Sequence, residues 1–232
     1  VPAGTPISKR GTIELNECGH PIPDERGVKG TRKMMELLSH CSERDLVICP
    51  ISGGGSALMP LPREGVGLED IQAVTNSLLR SGATIGETNT VRKHLSAISG
   101  GWLAKRAFPA TIVSLILSDV VGDPLEVIAS GPTVPDNTTF AAAMAILQKY
   151  DLWDQAPSAV RNVLSKGTRG ELAETPKKGN EVFEAVHNIV IGNNSVACRA
   201  ANQSMKRTGV ESLVLTSLLE GEARHVGVVV GA

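Results

Sequence analysis

The stretch Leu46-Val47-Ile48-Cys49-Pro50-Ile51-Ser52-Gly53-Gly54-Gly55-Ser56-Ala57-Leu58 decides the reading of this sequence. Its first six residues form a short, largely apolar run between Asp45 and Ser52, the pattern of a strand covered on both faces. A glycine-rich turn follows, and then the start of a short helix. Three further runs, residues 111–117, 188–191 and 212–215, repeat the strand pattern. Between them the apolar spacing switches to the helical period. Met34, Leu37, Leu38 and Cys41 mark a helix over residues 28–41. Leu68, Ile71, Val74 and Leu78 mark one over 68–80, stopped by Ser81-Gly82. Phe140, Met144 and Leu147 mark one over 138–149, with Asn137 as N-cap. An Ala-rich helix over 194–208 stops at Gly209. All these stripes read as core. Strands alternating with helices predict an α/β protein with a mainly parallel sheet. Residues 166–179, polar and Gly-rich with Pro176, read as a surface loop.

Composition excludes several classes. The chain has 232 residues, 41% hydrophobic and 20% charged, with a net charge of −1. That suits a folded domain with a sizeable core. Its few aromatics (Phe108, Phe140, Phe183, Tyr150, Trp102 and Trp153) argue against base-stacking platforms, and its charge balance argues against a phosphate-backbone binder. Neither a nucleic-acid partner nor a membrane is expected, because no apolar run approaches the ~18 residues that span a bilayer. Cys18, Cys41, Cys49 and Cys198 form no Cys-x-x-Cys pair, so a zinc site or disulfide framework is not indicated and a reducing, cytoplasmic setting is the default.

Chemistry is expected at the carboxyl ends of the strands, where open α/β sheets bind ligands. The glycines of Ser52-Gly53-Gly54-Gly55-Ser56 let the backbone approach an anion, and successive N–H groups can cradle a phosphate. Its place between strand and helix favours this over a plain turn. It is neither a Walker A motif nor a Gly-x-Ser-x-Gly elbow. Asp119, just past the run 111–117, is placed to hold Mg²⁺ or to accept a hydroxyl proton, and equally to satisfy the N–H groups of a turn. Asp123 is a second carboxylate four residues later. Residues 129–136, with two prolines and a glycine, read as a rigid structural turn whose hydroxyls are available to a ligand. Within Glu87–Ser96, Arg92 can grip a carboxylate bidentately and Asn89 and Lys93 share a helix face; taken alone, this pattern reads as a solvated face. Glu220-Gly221-Glu222-Ala223-Arg224 reads either as another cleft segment or as a helix start.

Taken in order, these segments resemble the class II glycerate 2-kinase family, whose members are often labelled hydroxypyruvate reductases. The resemblance rests on Gly19-His20-Pro21-Ile22-Pro23-Asp24-Glu25, Ser52–Leu58, Ser81–Ile85 leading into Glu87–Ser96, Leu117–Asp123, Ile128–Thr133, Glu174–Lys177 and Leu219–Arg224. It implies an ATP-dependent phosphorylation of D-glycerate at its 2-hydroxyl, giving 2-phosphoglycerate. It implies two α/β domains with the active site between them. The larger, N-terminal one is Rossmann-like, a three-layer sandwich, and residues 1–232 look like most of it, with the sheet incomplete at both ends. A Gly-Lys-Ala stretch is then expected before Val1 and a smaller C-terminal domain after Ala232. On this resemblance Ser52, Gly53, Gly54, Gly55 and Ser56 hold phosphate oxygens. Asp119 orients or deprotonates the hydroxyl or holds Mg²⁺, with Asp123 as second candidate, and Arg92 with Asn89 holds the glycerate carboxylate or a phosphate. Where the family usually shows Lys-Gly-Gly-Arg, this chain has Ser99-Gly100-Gly101-Trp102. Two positive charges are absent there, and Trp102 is left to pack on a neighbour or on an adenine ring. The competing readings are a non-catalytic binding module that keeps the fold, and an NAD(P)H-dependent reductase. The latter lacks its Gly-x-Gly-x-x-Gly fingerprint.

Overall fold

The computed structural model describes residues 1–5 and 12–231. Three parallel strands, β1 (Leu46–Ile51), β2 (Thr111–Leu117) and β3 (Val186–Gly192), form one open sheet in the order β1-β2-β3. Around it lie α1 (Glu25–Leu38), α2 (Gly55–Leu58), α3 (Leu68–Arg80), α4 (Ile85–His94), α5 (Trp102–Ala107), α6 (Phe140–Lys149), α7 (Ser158–Thr168), α8 (Asn194–Arg207) and α9 (Ala223–Gly231). Parallel neighbours joined through helices are the α/β arrangement expected from the alternating pattern and the Rossmann-like one implied by the resemblance. None of the described helices is long and apolar enough to cross a membrane.

Local chemistry sets the helix ends. α1 starts earlier than its apolar spacing suggests because Asp24 caps it, its carboxylate accepting from Gly27 N at 3.1 Å. Thr139, rather than Asn137, caps α6, accepting from Ala142 N at 3.1 Å. Thr84 and Glu87 form a capping box on α4.

The core has two main parts. Leu38, Leu103, Ala104 and Ala107 of α1 and α5 pack on Ile112 and cover the sheet face that carries Val47 and Cys49. Beside the sheet, α3, α4, α6 and α7 bury Val74, Leu78, Val91, Leu95, Phe140, Leu147, Val160 and Leu164 among themselves. A third, smaller group of Ile51, Ile116 and Ile128 seats a turn on the ends of β1 and β2.

Four expectations need correction. Residues 212–215 form no strand: Leu213 and Leu215 are 81% and 83% exposed. A strand exists only when a neighbour takes up its backbone groups, and here no described segment does. The stripes of α8 are not core, since none of its residues is buried, and Leu37 of α1 points outward. The second sheet face is also open, with Leu46, Ile48 and Ile189 exposed in register-related positions on either side of β2. Finally, residues 166–179 are not wholly a surface loop. α7 continues to Thr168, and Thr175 is buried with its hydroxyl donating to Asp136 Oδ2 at 3.1 Å.

Candidate functional site

The ends of β1 and β2 bring the glycine loop and Asp119 together. An added Cβ on Gly53 would lie 2.0 Å from Asp119 Oδ2, so only glycine lets the carboxylate rest against the loop. Gly54 has φ +80°, and a Cβ there would meet the His20 ring at 2.6 Å. The backbone N–H groups of Gly53, Gly54 and Gly55 make no hydrogen bond within the described residues. They open on a cleft of about 270 Å³, lined by Gly53–Ala57, Asp119, Asn89 and Arg92, with Pro21 and Ala129 at its margins.

Asp119 is exposed, with no hydrogen-bond or ion-pair partner among the described residues. Asn89 and Arg92, one turn apart on α4, face it across the cleft. Asn89 is buried, and Arg92 Nη1 donates to its Oδ1 at 3.5 Å. Burial pushes the Arg92 guanidinium below its ordinary value, and among the described residues no carboxylate compensates it. Asp123 lies outside this lining. It sits in the left-handed region (φ 55°), where Asn193 Nδ2 donates to its carboxylate at 2.5 Å. It therefore ties the end of β3 to the loop after β2. Ser52 is exposed at the start of the loop and outside the cleft lining, while Ser56 faces inward, its Oγ 2.7 Å from Ser130 Oγ. Glu220–Arg224 also lies outside the cleft; α9 starts there, with Arg224 paired to Glu222 at 2.6 Å.

α4 is not a solvated face: Thr88, Asn89, Thr90, Lys93 and His94 are all buried. Its polar groups are held from both ends. Near its start, Glu87 accepts from Lys149 Nζ at 2.6 Å and Tyr150 Oη at 2.8 Å, bonds that with the Thr84 cap lower its pKa to about 2. Near its end, Lys93 Nζ lies 3.5 Å from Asp136 Oδ1, with both side chains buried. Burial pushes the Asp136 carboxyl up, but the Lys93 charge and two bonds from Thr138 outweigh it and hold the pKa below the ordinary value. His94 stands fully buried beside them, Nδ1 2.8 Å from Thr90 O and Nε2 3.3 Å from Glu174 Oε1. Desolvation favours its neutral form. This network holds Glu87, Lys93 and His94 outside the cleft lining and leaves Asn89 and Arg92 in it.

The turn after β2 closes the opposite wall. Ala129, Ser130 and Gly131 are all left-handed (φ 51°, 60° and 60°), a strained run for non-glycine residues. Gly100 N donates to Ser130 O at 2.9 Å and Gly101 N to Gly131 O at 2.8 Å, bracing it. Thr133 anchors the next segment, accepting from Ser114 Oγ at 3.1 Å and donating to Asn188 Oδ1 at 2.7 Å. Trp102 faces away from the cleft. Its ring lies under the Arg63 guanidinium at 5.2 Å and near Lys105 Nζ at 4.8 Å, so it packs on neighbours. Sequence reasoning missed the bracing role of Gly100-Gly101 and the position of His20; their only signal was membership of the motifs quoted above.

A family model described as a domain of unknown function, DUF4147, matches residues 3–165. A glycerate 2-kinase from Pyrococcus horikoshii is 46% identical over 238 residues, covering 100% of this chain and 53% of that protein. A D-glycerate 2-kinase from Thermotoga maritima is 46% identical over 215 residues, 93% of this chain and 48% of its own length. A crystal structure of glycerate kinase from Thermotoga maritima superposes with a TM-score of 0.86 at 42% identity, covering 98% of this chain and 52% of that one. The chain thus spans about half the length of the curated relatives it matches. The family model spans most of the chain, so the chain belongs to the DUF4147 family, and the relatives it resembles over about half their length are glycerate 2-kinases.

Proposed function

We propose that the protein phosphorylates D-glycerate at its 2-hydroxyl with ATP, and that this chain is most of the larger α/β domain of such a kinase. The observation that carries the reading is one cleft that brings together backbone N–H groups, a carboxylate and a guanidinium, none of them paired with an oppositely charged or hydrogen-bonding backbone partner among the described residues. Phosphoryl transfer asks mainly for positioning and charge neutralisation, and these groups supply both. The N–H groups of Gly53, Gly54 and Gly55 hold phosphate oxygens. Asp119 orients the attacking hydroxyl and takes its proton. Arg92, with Asn89 beside it, holds the acid's carboxylate. Asp123 serves the turn to β3.

Mg²⁺ fits as an ion brought on the nucleotide. Among the described residues no cluster of three metal-ligating side chains exists, but Mg²⁺ commonly takes one or two carboxylates together with phosphate oxygens and waters. Asp119 is the carboxylate that would hold it, and the ion would neutralise phosphate charge. The four free cysteines support a reducing, cytoplasmic setting.

The test is a coupled assay of ADP formation on the full-length protein with D-glycerate, ATP and Mg²⁺. ADP release that depends on D-glycerate supports the reading. NADH oxidation with hydroxypyruvate, and no ADP release, overturns it.

A further inference from the structure

Behind Arg92 lies a second, smaller chamber of about 40 Å³. Arg92 and Ser56 line both it and the outer cleft, so the two spaces adjoin. Three more hydroxyls face it: Ser96, Ser99 and Ser130. With Arg92 and Ser56 they come from three separated parts of the chain, residues 56, 92–99 and 130.

The chamber holds donors with no partner among the described residues. Ser96 Oγ accepts from Ile98 N at 3.2 Å and Ser99 N at 3.1 Å, and it donates to Ser99 Oγ at 3.0 Å. Ser99 is thus an acceptor whose own proton finds no partner among the described residues. The Ser56–Ser130 pair uses one hydroxyl proton and leaves the other free. Arg92 adds N–H groups that no described carboxylate takes. Ser130 is 1% exposed, and its left-handed backbone is braced by Gly100 N, so its hydroxyl is fixed in place. The remaining wall is apolar, with Met59, Leu61 and Leu68 among its residues. Spare donors around a cation, in a space with room for about two or three waters, match the two oxygens of a carboxylate; a phosphoryl group is bulkier than this space.

We propose that this inner chamber is the carboxylate subsite for a small 2-hydroxy acid, built by Arg92 with the Ser99, Ser130 and Ser56 hydroxyls. The inference rests on the kinase reading above and deepens it. The acid's carboxylate turns inward past Arg92, and its 2-hydroxyl is left in the outer cleft with Asp119 and the phosphate loop. The chamber then separates the two anions of the reaction, with Arg92 between them.

The test is calorimetric binding to the full-length protein, without turnover, using D-glycerate, lactate and ATP as separate probes. The subsite predicts that Ser99→Ala and Ser130→Ala each weaken D-glycerate and lactate binding about tenfold and leave ATP binding within twofold. Unchanged affinity for both acids in the variants overturns it, as does failure of the wild type to bind either acid. If Ser130→Ala does not fold, Ser99→Ala decides alone, because its hydroxyl holds no backbone group. The kinase reading fails separately. Ser99-dependent binding of lactate by a protein that releases no ADP with D-glycerate leaves the chamber standing without the kinase. Normal ADP release with acid binding indifferent to Ser99 and Ser130 does the reverse.

Discussion

Gly53 and Asp119 touch across the ends of two neighbouring strands so closely that residue 53 has no room for a side chain: its Cβ would lie 2.0 Å from Asp119 Oδ2. The glycine loop and the carboxylate are thus one unit. Gly53→Ala must push the Asp119 carboxylate aside by about an ångström or more. Displacements of that size cost about 10²-fold in rate, so kcat of the full-length protein should fall by about that factor. Thermal unfolding should move little, since the site is at the surface. Steady-state ADP release and a melting curve on the same sample check both halves.

The Lys93–Asp136 pair is the buried electrostatic anchor of α4. Replacing one partner alone leaves a buried charge uncompensated, so Asp136→Ala should cost about 3–5 kcal/mol. The double variant Lys93→Met/Asp136→Leu should recover a large part of that loss, because no lone charge remains. Urea denaturation of the two variants and the wild type measures the difference. Equal stabilities for single and double variants would show that the pair is not coupled.

Acid should loosen the other end of α4. Glu87 is held down to about 2 by Lys149, the Thr84 cap and Tyr150. Its folded pKa lies below its unfolded one, so its contribution to stability is complete above the ordinary glutamate range. That contribution is lost as pH falls through that range toward about 2. Glu87→Gln should therefore flatten the stability–pH slope between about pH 5 and pH 2, measured by urea midpoints across that interval. An unchanged slope would show that Glu87 does not carry it.

How much of this was legible in the sequence follows from how local each signal is. β1 and β2 were readable at their observed limits because each is a compact apolar run with polar ends. Residues 212–215 carried the same local pattern, yet strand formation depends on a neighbour that the run itself does not encode. α4 misled for a related reason. Lys93 and His94 look like solvent-facing charges until Asp136 and Glu174, distant in sequence, fold against them. Of the cleft residues, Gly53–Ser56 and Asp119 were legible because strand ends mark ligand sites in α/β sheets, whereas Asn89 and Arg92, on a helix, were singled out only through the family resemblance. Ser130 was legible only as a turn hydroxyl available to a ligand, and Ser96 and Ser99 not as ligand groups at all, because hydroxyls show no periodicity and acquire meaning only when the turn at Ala129–Gly131 brings them together.

The open sheet face makes a separate prediction. Leu46, Ile48 and Ile189 are 59%, 58% and 47% exposed on one side of the sheet. Expressed by itself, the 232-residue chain should self-associate through this surface. Ile48→Thr with Ile189→Thr keeps β-branched residues in the strands and should shift the chain toward monomer in sedimentation velocity. An unchanged distribution would place the association elsewhere.

The most direct test of the account is Asp119→Asn in the full-length protein. The substitution keeps the size of the side chain and its contact with Gly53, and removes only the charge and the proton-accepting oxygen. With D-glycerate, ATP and Mg²⁺, ADP release should fall by about 10³-fold or more, in line with the loss of a positioned proton acceptor that also serves phosphate charge, while the melting temperature stays near that of the wild type. Turnover close to wild type would contradict the central claim that this carboxylate carries the chemistry of the cleft.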